Sequence, residues 1–268
     1  ASPPFSSCCV FKHQMARIAV GEADRNRRGV FLTSAIYKNA DYTEELIVET
    51  LRIMREELRY PGYIHAKVMP GTDPLLIEKA GRYADRLSVN IEVAKSEGYA
   101  KIAKQKTRDN ILSPMAAISR LIWANREEKS PFKPAFATSQ TTQLMAGSTD
   151  EDDRTILTLS SALYRKYRLG RVYYTAFRYR HPAAGYDLPL VSTPVWRIGR
   201  LYQADRLLQL YGFTPDEILP PEHASLSLDL DPKTDWALRN PQFFPVEVNR
   251  APYESLVRVP GIGVKSAR

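Results

Sequence analysis

Arg86-Leu-Ser-Val-Asn-Ile-Glu-Val93, read as an extended segment, puts Leu87, Val89, Ile91 and Val93 on one side and Ser88, Asn90 and Glu92 on the other, because side chains alternate across a strand. Four further tracts predict strands: Gly29 to Ala35, Tyr63 to Met69, Phe136 to Ala146 and Arg171 to Phe177. Helical periodicity fills the intervals. One helix is predicted from about Thr43 to Leu58, with Leu46, Ile47, Leu51, Met54 and Leu58 on a single face. Asp73-Pro74 supplies a cap and a first helical position, and further helices are predicted over 96–105 and 113–128. Another starts at Ser148 or Thr149, with Asp150, Glu151, Asp152 and Asp153 at the positive end of its dipole and Arg165, Lys166 and Arg168 at the negative end. Strands alternating with helices imply a parallel sheet with crossover helices, either a barrel or an open doubly wound sheet.

The strand faces favour the barrel. An open parallel sheet is covered by helices on both sides, so its strands read as apolar on both. Here His65 and Lys67 alternate with apolar neighbours as Ser88, Asn90 and Glu92 do, and Thr141 and Gln143 repeat the pattern. A solvated edge strand would explain one such tract; three in succession call for a wet or ligand-filled lumen, since a dry, unpaired polar group costs about 1–3 kcal/mol. The expected fold class is α/β, a partial (β/α) TIM-like barrel with its working groups at the carboxyl ends of the strands.

The end of the chain, Asn249-Arg-Ala-Pro-Tyr-Glu-Ser-Leu256-Val-Arg-Val259-Pro260-Gly261-Ile262-Gly263-Val-Lys265-Ser266-Ala267-Arg268, reads as a helix capped by Asn249, a glycine hairpin plugged by a buried Ile262, and the start of a second helix. This is the spacing of a helix-hairpin-helix. Gly261 and Gly263 allow positive φ and close backbone approach, and N–H groups at a helix start suit a phosphate. Pro260, Gly261, Ile262, Gly263, Lys265, Ser266 and Arg268 are therefore the candidate DNA-binding residues. A packing device or protein-binding turn would use the same pattern.

The formal net charge of +8 over 268 residues favours polyanionic partners. No apolar run approaches the roughly twenty residues needed to cross a bilayer, so no membrane partner and a cytoplasmic location are expected. The two cysteines, Cys8 and Cys9, are adjacent, which fits neither a disulfide framework nor a structural zinc site.

From about Phe11 to Arg268 the chain resembles the DNA modification or repair radical SAM proteins. The matching segments include Gly29-Val-Phe-Leu-Thr-Ser, Gly62-Tyr-Ile-His-Ala-Lys, Gly81-Arg-Tyr-Ala-Asp-Arg-Leu-Ser-Val-Asn-Ile-Glu92, Thr141-Thr-Gln-Leu-Met-Ala-Gly147, Leu228-Asp-Leu-Asp-Pro-Lys, Phe244-Pro-Val-Glu-Val-Asn-Arg and Val259-Pro-Gly-Ile-Gly. The resemblance implies a radical SAM barrel over 11–212, a proline-rich connector over 213–246 and a truncated helix-hairpin-helix over 247–268, with 1–10 unmatched. It implies S-adenosylmethionine and a [4Fe–4S] cluster as cofactors, and DNA and an electron donor as partners. The cluster of that family is held by Cys-x-x-x-Cys-x-x-Cys, which this sequence lacks, so truncation at both ends and an inactive fragment are expected.

By the same resemblance, Thr33 and Ser34 stand where such proteins approach the methionine amino group, with Ala35 in place of the usual glycine. Asn90 and Glu92 correspond to groups that bind the ribose and amino-acid parts of the cofactor, and Thr141 and Gln143 complete the pocket. Two alternatives remain open: a DNA-binding protein without catalysis, and an aldolase-like barrel with Lys67 as Schiff-base nucleophile and His65 nearby. The loop from Arg178 to Thr193 either covers the pocket, contacts DNA through Arg178 and Arg180, or is solvated surface.

Overall fold

Five strands form one sheet in the order β1-β2-β3-β4-β5: β1 (Val30–Leu32), β2 (Ile64–Lys67), β3 (Arg86–Ser88), β4 (Ser139–Ala146) and β5 (Arg171–Ala176). The pairings of β1 with β2, β2 with β3 and β3 with β4 are parallel. A doubly wound sheet reverses its strand order at a switch point; this order never reverses, which agrees with a partial β/α barrel. The computed structural model describes residues 13–21, 29–179 and 189–268. Cys8, Cys9 and Arg180 lie outside the described residues.

Packing divides the chain into two units that interleave along the sequence. The first runs from the start of the chain to Ile91 and takes in Gln105–Gln143 and Tyr167–Tyr173; the second comprises Glu92–Lys104, Leu144–Lys166 and Tyr174–Arg268. The boundaries expected at 212 and 246 both fall inside the second.

In the first unit a helix over 13–21 (α1) precedes β1, followed by α2 (Ala40–Arg52), α3 (Pro74–Tyr83) and α5 (Arg108–Glu127). Asn39, not a residue near Thr43, starts α2: its side chain accepts the Tyr42 N–H, satisfying a donor that the first turn leaves open. Asp73 caps α3 through the Leu75 N–H with Pro74 behind it, as expected. The helix expected to reach Leu58 changes to a π-turn over Ile53–Glu57. That turn aims Arg55 at Asp85 (2.7 Å) and at the carbonyls of Tyr60, Gly62 and Tyr83. Asp85 also accepts the Ile64 N–H at 2.7 Å, so one ion pair sets the entry of both β2 and β3. The core of the unit consists of Ile64, Ala66 and Leu87 from the sheet with Leu51, Ile77, Ile111, Met115 and Ile118 from the helices, all fully buried.

The regular ladder of β3 ends at Ser88 rather than Val93. The Thr142 hydroxyl inserts at that point, donating to the Val89 carbonyl (2.7 Å) and accepting the Ile91 N–H (3.0 Å). Side-chain bonds of this kind compete with the strand's own pairing.

In the second unit, α4 (Gly98–Ile102) is followed by α6 (Asp153–Tyr167), α7 (Val195–Leu210), α8 (Pro215–Ile218), α9 (Pro232–Arg239) and α10 (Tyr253–Leu256). The start of α6 lies beyond Ser148 and Thr149, with Asp152 accepting the Thr155 N–H. The acidic run does more than face a dipole. Glu151 accepts from the Ala94 and Lys95 N–H groups, Asp150 pairs with Lys101, and Asp153 takes the Arg197 guanidinium at 2.7 Å and the Leu226 N–H. Asp150, Glu151 and Asp153 therefore tie other segments to the start of α6, while Asp152 bonds within its first turn. Within residues 213–246, Trp236 packs edge-on against Phe213 and Phe243, with ring centres 5.3 Å apart.

The C-terminal segment differs from its sequence reading. Asn249 does not cap a helix; its side-chain amide donates to Glu247, while α10 starts at Tyr253 with Pro252 before it and no side-chain cap. After Gly261, at φ +84°, the second helix is represented by turns in which the Ser266 and Ala267 N–H groups donate to the Gly263 carbonyl. Ile262, expected to be a buried plug, is half-buried, whereas Val257 and Ala267 are buried.

Candidate functional site

The polar side of the sheet in the first unit is arranged in rows. Register aligns Phe31, His65, Arg86 and Ser139 across β1 to β4, and aligns Lys67, Ser88 and Thr141 one pleat further along the strands. Ser88, Asn90 and Thr141 are buried while Lys67 and Gln143 are half-buried. Asn90 donates to the Gln143 carbonyl oxygen at a long 3.4 Å. Thr141 is 1% exposed and its hydroxyl has no hydrogen-bond partner, the type of group whose burial costs most when nothing satisfies it.

The alternation expected from the sequence holds for His65, Lys67, Ser88 and Thr141 on one side of the sheet, whereas Asn90, beyond the end of β3, meets Gln143 through a hydrogen bond. The His65 imidazole sits 2.9 Å from the Ser88 hydroxyl, and its ring centre lies 4.5 Å from that of Phe31 with the planes tilted by 32°. Burial, aided by the Arg86 charge, lowers its pKa from 6.5 to about 4, so the ring is neutral at physiological pH.

Thr33 and Ser34 follow β1 and are exposed, the Ser34 hydroxyl donating to the Ala35 carbonyl. Glu92 belongs to the second unit and is half-buried at φ +63°, an uncommon conformation for glutamate. Its carbonyl accepts the Met145 N–H.

Of the tail residues, Gly261, Lys265, Ser266 and Arg268 are exposed, and Pro260, Ile262 and Gly263 are half-buried. The Ile262 carbonyl accepts the Lys233 ammonium at 2.6 Å, and that ammonium also lies 4.8 Å from the Tyr211 ring. Burial lowers the Lys233 pKa from 10.5 to about 8. Lys233 went unnoticed in the sequence because nothing near it in the chain marks a contact with position 262.

Arg86 and Tyr173 were missed as well, although the signal was present. Arg86 shares the parity of Ser88 and Asn90, so it belongs to the same strand face. Its guanidinium donates to Ser139 (3.2 Å) and to the Tyr173 hydroxyl (3.1 Å), and lies 5.5 Å from the Tyr63 ring.

Among the described residues, no group of three or more His, Cys, Asp or Glu could hold a metal ion, and no helix is long and apolar enough to cross a membrane. Comparison of the chain with protein-family models, curated proteins and solved structures gave no match.

Proposed function

We propose that this chain binds S-adenosylmethionine on its polar sheet face and acts on nucleic acid, as the resemblance to the radical SAM proteins of DNA modification or repair implies. The observation that carries the reading is the buried, unpartnered Thr141 hydroxyl on the strand that also carries Gln143, which bonds Asn90. These groups suit the ribose hydroxyls and the amino-acid end of an adenosyl ligand, which both donates and accepts hydrogen bonds. Neutral His65, held against Ser88, can accept or donate one proton at Nε2 according to its tautomer.

The residues of this sequence do not fit an iron–sulfur cluster. Such a cluster needs at least three thiolates, and the sequence has two cysteines, side by side. No radical step is derived for it. The cysteine count instead supports a second reading, a nucleic-acid-binding protein without catalysis, for which the net charge of +8 and the exposed Lys265 and Arg268 speak.

Ligand-observed NMR with S-adenosylmethionine tests the first reading, because it detects the weak binding expected without iron chelation. Saturation transfer to the ribose protons, abolished in Thr141→Val and Asn90→Ala, is the expected result. No transfer to the parent protein, with DNA binding retained, would leave the second reading standing.

A further inference from the structure

The row that begins the polar face has a different chemistry from the row beyond it. Phe31 is 57% exposed and Tyr63 is 44% exposed, although both lie on the sheet face where aromatic rings are costly to leave in water. The half-buried Arg86 guanidinium uses Ser139 and Tyr173 as neutral acceptors, and among the described residues no carboxylate pairs with it. A guanidinium has five N–H donors, so several remain for an incoming acceptor. Arg171, exposed, lies 5.5 Å from the Tyr173 ring. Within the first unit, the strand residues of this face include Lys67, Arg86 and Arg171 and no Asp or Glu.

We propose that Phe31, Tyr63, His65 and Arg86 form a stacking platform for unpaired bases of a single-stranded or locally opened nucleic acid. This deepens the nucleic-acid part of the proposed function and puts the contact on the sheet rather than on the tail. Exposed aromatic rings take base faces of any sequence, while cationic side chains follow the phosphates. Phe31 and Arg86 stand two strands apart, about 10 Å, so a ring and a charge engage neighbouring parts of one strand. A peptide partner would need an acidic segment for Arg86 and would leave Phe31 and Tyr63 without planar partners.

Fluorescence anisotropy with a labelled oligothymidylate, its duplex form and thymidine monophosphate as competitor tests the platform. The expected result is preference for the single strand, a loss on the order of ten-fold in Phe31→Ala and in Tyr63→Ala, and recovery in Phe31→Trp. Exposure of Phe31 means that its replacement leaves the fold intact, which thermal melting verifies. Unchanged affinity in folded Phe31→Ala and Tyr63→Ala overturns the platform, as does equal preference for duplex, or competition by the free nucleotide at strand concentrations. Loss of binding in Lys265→Gln/Arg268→Gln alone, with the aromatic variants unaffected, overturns the platform and keeps the tail as the DNA contact. Loss of S-adenosylmethionine binding does not bear on it, so the two readings fail separately.

Discussion

His65 Nε2 lies 2.9 Å from the Ser88 hydroxyl, joining β2 to β3 by side chains on the polar face while the backbone ladder joins them beneath. The bond holds an imidazole that burial keeps neutral, with a pKa lowered from 6.5 to about 4.

Stability should therefore fall on acidification. Between pH 6.5 and about 4 the unfolded chain binds a proton at this site that the folded chain does not, so the His65 contribution is present above 6.5 and is lost as the pH drops. Thermal melts from pH 7 to pH 5 are expected to show a steeper decline for the parent than for His65→Gln. Parallel curves would show that His65 is not the group responsible.

Glu44 has the opposite sign. It is fully buried, one carboxylate oxygen accepts the Met69 N–H at 2.9 Å and the other has no partner, and burial raises its pKa from 4.5 to about 8. The folded state holds a proton that the unfolded state releases above 4.5, so stability declines as pH rises through this window. Glu44→Gln keeps an acceptor for Met69 and is expected to gain on the order of 4 kcal/mol over the parent at pH 9. Denaturant titration at pH 5 and pH 9 measures the difference, which should be small at the lower pH.

The apolar side of the sheet should be unforgiving where the polar side is tolerant. Leu87 is fully buried against the helices, and Leu87→Ala is expected to cost about 2–5 kcal/mol through reduced burial and a residual cavity. Thr141→Val, which removes an unpartnered hydroxyl from a buried position, should be neutral or stabilising in the same urea titration.

At the tail, replacing exposed Lys265 and Arg268 with glutamine should weaken binding across all sequences and lower the slope of log K against log salt by about one for each phosphate no longer neutralised. Anisotropy at several salt concentrations reads both effects. An unchanged slope would mean that these cations face no phosphate.

Side-chain parity is a property of the chain itself, so the alternation at His65, Ser88 and Thr141 was enough to mark a sheet with one polar and one apolar face, and strands alternating with helices marked it as parallel. Local caps were legible for the same reason, as at Asp73-Pro74. What the fold alone decided depends on residues far apart in sequence. Thr142 cuts the β3 ladder short through Val89 and Ile91, Arg55 reaches Asp85 to set the strand entries, and Lys233 holds the Ile262 turn. Hydrogen bonds across such separations leave no periodic trace in either partner's surroundings, and only the packed chain brings their atoms within 3 Å.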